Sequence, residues 1–182
     1  MASASPRRAE FLRQLGVNFV VMPADIDEKA YFRADPAETV KNIALEKAKR
    51  VFAVTHGAVL AADSAVVYGG EIFGKPKDVD DAVRMLHILS GSVHEVMTGV
   101  AYVAEGKTVL RCIVTKVFFR SLDDAFIRRY AEGGSPLDKA GAYGIQDGNL
   151  VEKIEGSFSN VVGLPMEFVS DLLKKEGFLT EE

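Results

Sequence analysis

The chain has 182 residues, of which 48% are hydrophobic and 26% charged, a balance that excludes an intrinsically disordered protein. Its formal net charge of −4 argues against general affinity for nucleic acids, so no stable nucleic-acid complex is expected. A single domain over residues 1–182, large enough to bury a sizeable core, is predicted.

Cysteine content and hydropathy limit the cellular setting. Cys112 is the only cysteine, so no disulfide can form within the chain and no zinc site built on several cysteines is available. No segment approaches the ~18 consecutive apolar residues of a membrane span, and no signal peptide precedes the first predicted helix. These features predict a cytoplasmic protein without a membrane partner.

The first eight residues predict a helix start that suits an anion. Ser5 fits the N-cap and Pro6 the first helical position, and the apolar pattern continues to a stop at Gly16. Arg7 and Arg8 then lie in the first turn, where the helix dipole disfavours cations unless an anion joins them. A solvated helix start with incidental arginines is the alternative.

The remaining elements follow from hydrophobic periodicity and turn residues. Asp35 begins a capping-box pattern, which opens a long helix that closes near Gly57. The apolar run 58–62 predicts a buried strand that ends abruptly at Asp63. Further strands are predicted at 19–22, 66–68, 71–73, 96–104 and 108–120, further helices after Asp78, over 124–132 and from Pro165 to about Glu176, and a glycine-rich loop with short turns over 133–148. The predicted class is α/β, with a mixed sheet.

Asp63 is the carboxylate most suited to chemistry, since it follows a buried run where the strand is expected to reach the surface. A carboxylate at such an edge can hold a divalent metal or take a proton from water. An aspartate that caps a turn with Ser64 is an equally good interpretation of that position alone. Glu28, in an acidic loop, could supply a second metal ligand, although such loops are more often simply solvated.

Two lysines and one glutamine are candidates for ligand contacts. Lys75 lies between a glycine and a proline after a predicted hairpin, and such a loop can aim an ammonium at a phosphate. Lys47 lies on the long helix and could face a cleft or solvent. In the block 138–146, small residues allow a ligand close to the backbone, and Gln146 can match the N3–H and O4 edge of a uracil-type base. Surface lysines and a structural loop are the alternatives.

Other site types find little support. His56, His87 and His94 have no metal-ligand spacing, and no Ser-His-Asp order is recognisable. The chain contains no Walker A and no G-x-G-x-x-G motif. ATP-driven motors, dinucleotide dehydrogenases and zinc hydrolases are therefore poorly supported.

Eight blocks, in order from residue 2 to about residue 176, together resemble the Maf family. They are S-A-S-P-R-R, D-I-D-E, A-L-E-K-A, A-A-D-S, G-K-P, S-G-S-V-H-E-V-M-T-G, D-K-A-G-A-Y-G-I-Q and V-V-G-L-P. The resemblance implies a nucleoside triphosphate pyrophosphatase of the Maf/ITPase-like fold: a twisted sheet with helices on both sides and two lobes around a cleft. Such enzymes cleave between the α and β phosphates with Mg²⁺ or Mn²⁺ and clear unwanted nucleotides from the pool. A homodimer is also suggested.

The resemblance also implies residue roles. Asp63 would be the proton acceptor that activates water, and Glu28 would help it to hold the metal. Residues around the phosphates would be Ser3, Arg7, Arg8, Lys47, Lys75 and Lys139. These roles agree with the physical requirement, because displacement at phosphorus depends on positioning and charge neutralisation by a metal, several cations and one base.

Three positions favour one branch of the family. Members that resemble dTTP/UTP pyrophosphatases carry arginine, threonine and glutamine there, whereas the 7-methyl-GTP branch carries tryptophan, glutamine and glutamate. This chain has Arg7, Ser64 and Gln146, so two positions agree with the pyrimidine branch and Ser64 keeps the hydroxyl. The expected substrates are dTTP and UTP. The alternatives are a pyrophosphatase that prefers modified purines such as 7-methyl-GTP, and a protein that regulates septum formation and cell division by binding.

One departure from the family concerns the first strand. Family members usually have several apolar residues before the S-x-S-P-R-R segment, whereas Met1 stands almost directly before it here. We therefore expect either a truncated first strand or a sequence that starts too late, and either would affect the position of Ser3.

Overall fold

The computed structural model describes residues 1–180 and has α/β architecture, which confirms the predicted class. Glu181 and Glu182, the end of the predicted 1–182 domain, lie outside the described residues. The helices are α1 (Pro6–Gln14), α2 (Pro36–Thr55), α3 (Val79–Leu89), α4 (Asp124–Glu132), α5 (Phe158–Val162) and α6 (Met166–Lys175). The strands are β1 (Val59–Tyr68), β2 (Glu71–Phe73), β3 (Val93–Ala104), β4 (Lys107–Phe119) and β5 (Val151–Glu155). No helix within residues 1–180 is long and apolar enough to cross a bilayer.

The five strands pair in the order β2-β1-β3-β4-β5. β1 and β2 are antiparallel with Val67 opposite Ile72, and β4 and β5 are antiparallel with Val117 opposite Ile154. β3 and β4 are joined by the two-residue turn 105–106, which only an antiparallel pair allows. The sequence predicts a mixed sheet, but these three pairs are antiparallel, and two of them have connections too short for a parallel crossover.

The chain divides into two compact units. The first contains Met1–Asp63, Thr98–Ile113 and the described chain from Gly163 onward. The second contains Ser64–Met97 and Val114–Val162. Strands β1, β3 and β4 contribute residues to both units.

In the first unit, helices cover both faces of the sheet. Val59 and Ala61 of β1 belong to the buried cluster that includes α2. Leu60 and Ala62 belong to the opposite cluster, which includes residues of α1 and α6. Because side chains alternate along a strand, Asp63 continues the α2 side.

Helix α2 approaches the sheet closely at one glycine. A Cβ at Gly99 of β3 would overlap the Val40 carbonyl of α2, so only glycine allows this approach. The long helix is therefore fixed against the strands by backbone contact as well as by its buried alanines.

The residues before α1 join the first unit without forming an assigned strand. The Ala2 N–H donates to the Leu60 carbonyl at 2.8 Å, and the Met22 N–H donates to the Met1 carbonyl at 3.0 Å. The strand predicted at 19–22 is wrong, because this segment makes isolated backbone hydrogen bonds to the first residues rather than a ladder.

The strand predicted at 58–62 does not end at Asp63. β1 spans ten residues, Val59–Tyr68, and the segment predicted as a separate strand at 66–68 forms its last three residues. Asp63 and Ser64 are half-buried between fully buried neighbours, so these polar side chains interrupt the apolar run without interrupting backbone pairing. The expected strand end at Asp63, and the turn that it would cap with Ser64, are both wrong.

The core of the second unit is formed mainly by α3, α4 and the strands beside them. Its buried side chains include Ala82, Leu86 and Leu89 of α3, and Ile127 and Ala131 of α4. The α3 residues lie on the apolar face that sequence periodicity predicts, whereas for α4 the sequence predicts the helix alone.

The glycine-rich segment 133–148 also belongs to the second unit and confirms the prediction of a loop with short turns. Three 3₁₀ turns lie at Ser135–Asp138, Ala140–Ala142 and Ile145–Asp147. β5 and α5 were not predicted, because five residues give too short a periodic signal.

Candidate functional site

In the first unit, one ammonium bridges two carboxylates. Lys47 Nζ lies 2.8 Å from Asp63 Oδ1 and 2.6 Å from Glu28 Oε1. The Lys47 and Asp63 side chains are 12% and 15% exposed, whereas Glu28 is 50% exposed. We call these three residues the Lys47 cluster. It brings together the predicted base, the predicted second carboxylate and one predicted phosphate ligand.

The position of Lys47 follows from the pattern of α2. Lys47 is three residues after Ala44 and four before Val51, both buried, so it shares the face that packs on the sheet. Its aliphatic stem can cover apolar surface while the ammonium reaches the strand. Since Asp63 continues the α2 side of β1, the two charges meet.

Burial controls the acidity of Asp63. It raises the pKa of the Asp63 carboxyl above its ordinary value, and the Lys47 and Arg8 charges oppose that rise. A carboxylate with a raised pKa is a stronger base than an exposed aspartate, which suits proton transfer from water. The cations keep the charged form available despite the limited contact with solvent.

The Lys47 cluster also bears on metal binding. Glu28 begins a 3₁₀ turn, Glu28–Tyr31, that Asp27 caps by accepting the Lys29 N–H at 3.2 Å. Within the described chain, no group of three or more His, Cys, Asp or Glu side chains could hold a metal ion. Two carboxylates on a common ammonium nevertheless fit Mg²⁺ or Mn²⁺, since such ions often use one or two carboxylates and take their other ligands from water and phosphates.

Arg8 is committed to structural hydrogen bonds. Its Nε donates to the Gly163 carbonyl at 2.8 Å, and its Nη1 donates to the Ala62 carbonyl at 2.8 Å and to Ser3 Oγ at 3.1 Å. Burial lowers the pKa of the Arg8 guanidinium, and the Asp63 charge opposes this. Arg8 thus connects α1 to the residue directly before Asp63.

The neighbouring residues of the first helix differ from Arg8. Arg7 is exposed in the first turn, as predicted. Ser3 is buried, and its Oγ also accepts the Ser5 N–H at 3.2 Å. Ser5 occupies the N-cap position, but its side chain makes no capping hydrogen bond. Arg7 is therefore the more accessible of the two arginines for an anion.

In the second unit, two of the sequence blocks that resemble the Maf family are in contact. The Gly141 N–H donates to the Gly74 carbonyl at 3.0 Å, which joins the G-K-P block to the 140–142 turn. Gly141 has a φ of +68°, and a Cβ there would lie 2.9 Å from the Val66 methyl groups. Glycine is therefore required for this approach, and Lys75, which follows Gly74, is exposed.

The other predicted residues of the second unit are accessible to different extents. Lys139 is 17% exposed, and its Nζ donates to the Ser135 carbonyl at 2.6 Å and to Ser135 Oγ at 2.8 Å. It also lies 3.1 Å from Asp138 Oδ1. Gln146 is exposed in the Ile145–Asp147 turn, and Ser64 is half-buried on β1.

Two residues that are hydrogen-bonded within these segments were not predicted from the sequence. Tyr130 of α4 and Asp147 are hydrogen-bonded to each other, and Ser135 donates to Asp147 as well. Tyr130 and Asp147 are 17 residues apart, and no periodic pattern links them. An aspartate directly after Gln146 is the only sequence signal that could have indicated this contact.

His94, in the S-G-S-V-H-E block, is a structural histidine. It is 2% exposed, and its Nε2 lies 2.8 Å from the Tyr143 hydroxyl, while the Phe119 and Tyr143 rings contact it edge-on. Burial lowers the pKa of His94 to about 4, so the imidazole is neutral near pH 7. It anchors Tyr143 of the D-K-A-G-A-Y-G-I-Q block to the core.

Comparison with known proteins extends these local similarities to the whole chain. Residues 1–176 match the family described as Maf-like protein. A protein of Citrifermentans bemidjiense named dTTP/UTP pyrophosphatase is 50% identical over 98% of this chain and 95% of its own. Proteins of the same name from Anaeromyxobacter dehalogenans and Chromobacterium violaceum are 49% and 46% identical, each over 98% of this chain and 93% and 94% of their own.

Proposed function

Because the chain belongs to the Maf-like protein family, we propose that it hydrolyses dTTP and UTP between the α and β phosphates to the nucleoside monophosphate and diphosphate. The observation that carries the proposal is similarity at 46–50% identity, over nearly the full chain, to relatives named dTTP/UTP pyrophosphatase. The proposal includes a role in clearing the nucleotide pool, a cytoplasmic location and a homodimer.

Asp63 is the proposed general base. Its low exposure, its raised pKa and its contact with Lys47 support this role. In the proposed reaction, Asp63 takes a proton from water and the water oxygen forms a bond to the α-phosphorus. The bond between that phosphorus and the oxygen bridging the α and β phosphates breaks, and diphosphate leaves with the electron pair. Lys47 keeps Asp63 ionised and is the proposed phosphate ligand nearest to it.

Asp63 and Glu28 would hold a divalent cation, Mg²⁺ or Mn²⁺. When bound, the cation supplies positive charge that neutralises the phosphate oxygens. The support for this assignment is the pair of carboxylates that Lys47 already holds together.

The proposed phosphate ligands differ in accessibility. Arg7 and Lys75 are exposed and could bind an anion without rearrangement. Ser3 and Arg8 would act from more buried positions, and Lys139 would exchange part of its bonding to Ser135 for phosphate. The proposed specificity residues are Arg7, Ser64 and Gln146.

A substrate screen tests the proposal. Diphosphate release would be measured for dTTP, UTP, dCTP, dGTP and 7-methyl-GTP, with Mg²⁺, with Mn²⁺ and with EDTA. We expect dTTP and UTP to be preferred and EDTA to abolish activity. Preference for 7-methyl-GTP would contradict the substrate assignment, and a wild-type protein that releases no diphosphate from any of these would contradict the activity.

A matched pair of variants tests the base. We expect Asp63→Asn to lower kcat by roughly 10²–10⁴-fold, whereas Asp171→Asn, an exposed change on α6, leaves it unaltered. Full metal-dependent activity in Asp63→Asn would show that another group activates the water.

A further inference from the structure

A hydrogen-bonded group in the second unit surrounds the turn that carries Gln146. The Gly144 N–H donates to the Tyr130 hydroxyl oxygen at 3.2 Å, and that hydroxyl donates to Asp147 Oδ2 at 2.5 Å. The Asp147 N–H donates to the Gly144 carbonyl at 3.0 Å and closes the turn. A single hydroxyl on α4 therefore holds both ends of the four-residue segment that contains Gln146.

The Tyr130 hydroxyl is well suited to this contact. The Tyr130 ring is half-buried and stacks on Phe126, with centroids 6.1 Å apart and planes 6° from parallel. Burial raises the pKa of the Tyr130 hydroxyl, and the Asp147 carboxylate raises it further. The hydroxyl therefore remains a hydrogen-bond donor throughout the neutral range.

Ser135 extends the group to Lys139. Ser135 Oγ donates to Asp147 Oδ2 at 3.2 Å and accepts from Lys139 Nζ at 2.8 Å. A Cβ at Gly144 would lie 2.9 Å from Lys139 Cε and 3.0 Å from Asp147 Oδ2. We call Tyr130, Ser135, Lys139 and Asp147 the Tyr130 network.

We propose that Tyr130 and Asp147 are positioning residues for base selection, because they fix the 144–147 turn from which Gln146 reads the pyrimidine. The inference rests on the function proposed above. The Gln146 side chain is exposed, so the Tyr130 network acts on it through the backbone of the turn, which the network holds at Gly144 and Asp147.

The physical reason lies in the amide group. An amide offers both a donor and an acceptor, so a freely moving glutamine could satisfy uracil, with its N3–H and O4, or cytosine, with the opposite pattern. Selection by hydrogen bonds requires the reading group to approach from a restricted direction. A turn fixed at both ends supplies that restriction. Loosening the turn should therefore lower the preference for one base over another while leaving kcat for dTTP nearly unchanged.

The test compares kcat and KM for dTTP and dCTP in the full-length Mg²⁺-loaded protein and its Tyr130→Phe variant. We expect the preference for dTTP over dCTP in kcat/KM to fall roughly tenfold, mainly through a higher KM for dTTP. The kcat for dTTP should stay within about twofold, because the proposed base is untouched.

Tyr102→Phe is the matched control. Tyr102 is buried in the first unit, and its hydroxyl bonds to the Glu176 carboxylate, so this variant also removes one tyrosine–carboxylate hydrogen bond. We expect the Tyr102→Phe preference to equal that of the wild type. An unchanged preference in Tyr130→Phe, or an equal loss in Tyr102→Phe, would overturn the inference.

Asp147 provides a second route that does not depend on the folding of a tyrosine variant, since its side chain is exposed. Asp147→Ala should lower the preference as Tyr130→Phe does, whereas Asp147→Asn keeps an acceptor oxygen and should retain most of it. Equal preferences in Asp147→Ala and the wild type would also refute the inference. A wild type without diphosphate release from dTTP would refute the proposed function instead, and the inference with it.

Discussion

The two units hold their candidate residues by different means. In the first unit, the Lys47 cluster joins charges on a helix and a strand, and Arg8 donates to the carbonyl of Gly163, 155 residues away. In the second unit, the Tyr130 network joins half-buried or exposed residues by hydrogen bonds between α4 and the short turns of 135–147. The two groups therefore differ in burial and charge: ion pairs and buried hydrogen bonds between regular elements hold the first, whereas more accessible hydrogen bonds at short turns hold the second.

The contrast has a measurable consequence. Changes in the Lys47 cluster or at Arg8 should cost stability as well as activity, because they leave buried charges or carbonyls without partners. Changes in the Tyr130 network should alter substrate handling with little loss of stability.

Lys47→Met should have the largest effect. Removing one partner of a buried ion pair leaves Asp63 charged and poorly solvated, which should lower the free energy of unfolding by about 3–4 kcal/mol. Urea unfolding measures this loss. Adding Asp63→Asn should restore much of the stability, since the unpaired charge is gone, but should not restore diphosphate release. A double variant no more stable than Lys47→Met would show that packing, not charge, causes the loss.

His94 refines the comparison of the two units, because it is a buried titratable group in the second unit and should affect stability through its protonation. Its pKa in the folded state, about 4, is below the ordinary 6.5, so the unfolded chain binds more protons between these values. Stability should therefore fall as the pH drops from about 6.5 to about 4, by about 3 kcal/mol in total. Denaturant unfolding across this range measures the slope.

Two histidine variants test whether His94 causes this pH dependence of stability. His94→Gln should remove this contribution to the pH dependence even if the variant is less stable at pH 7. His87→Gln, at a more exposed histidine of α3, should leave it in place. If His94→Gln and the wild type lose stability in parallel, other groups cause the acid sensitivity.

Arg8→Lys should have an intermediate effect. A lysine keeps the charge but cannot reproduce the fork that reaches Gly163, Ala62 and Ser3, so about 2 kcal/mol of unfolding free energy should be lost. Arg7→Lys, at the exposed neighbouring position, is the matched control and should change stability by less than about 0.5 kcal/mol. Thermal and urea unfolding compare the two, and equal losses would show that Arg8 is not the structural residue.

The sequence predicted the longer elements well, for physical reasons. The predicted caps at Asp35 and Asp78 each accept a backbone N–H in the structure, and the apolar stripes behind them are buried. Local rules worked because these signals lie within one or two turns of the chain. The segment 19–22 has strand-like composition but lacks a ladder partner, a tertiary condition that composition does not contain.

The sequence indicated which residues are candidates for the site better than it indicated how the fold arranges them. Asp63 is conspicuous as a carboxylate after an apolar run, yet the sequence did not indicate that β1 continues through it. From the sequence, Lys47 could face a cleft or solvent, and only the packing of α2 brings its ammonium to Asp63. Tyr130 could not be identified, because its contact with Asp147 depends on three irregular turns.

The smallest expected effect on stability is that of Gly144→Ala. Gly144 has a φ of −116°, which alanine adopts without strain, and a new Cβ would meet the ends of two flexible side chains, Lys139 Cε at 2.9 Å and Asp147 Oδ2 at 3.0 Å. Both side chains can move, so stability should change by less than about 1 kcal/mol. Their displacement should nevertheless raise KM for dTTP about three- to tenfold, which steady-state kinetics measures. Gly134→Ala would be a poorer control because of its positive φ. Gly57→Ala, where the nearest atom to a new Cβ is the Thr55 carbonyl oxygen at 3.9 Å, should leave stability and KM nearly unchanged, and it separates the displacement of these side chains from a general effect of an added methyl group. A Gly144→Ala variant with normal KM but lower stability would reverse the contrast between the two units.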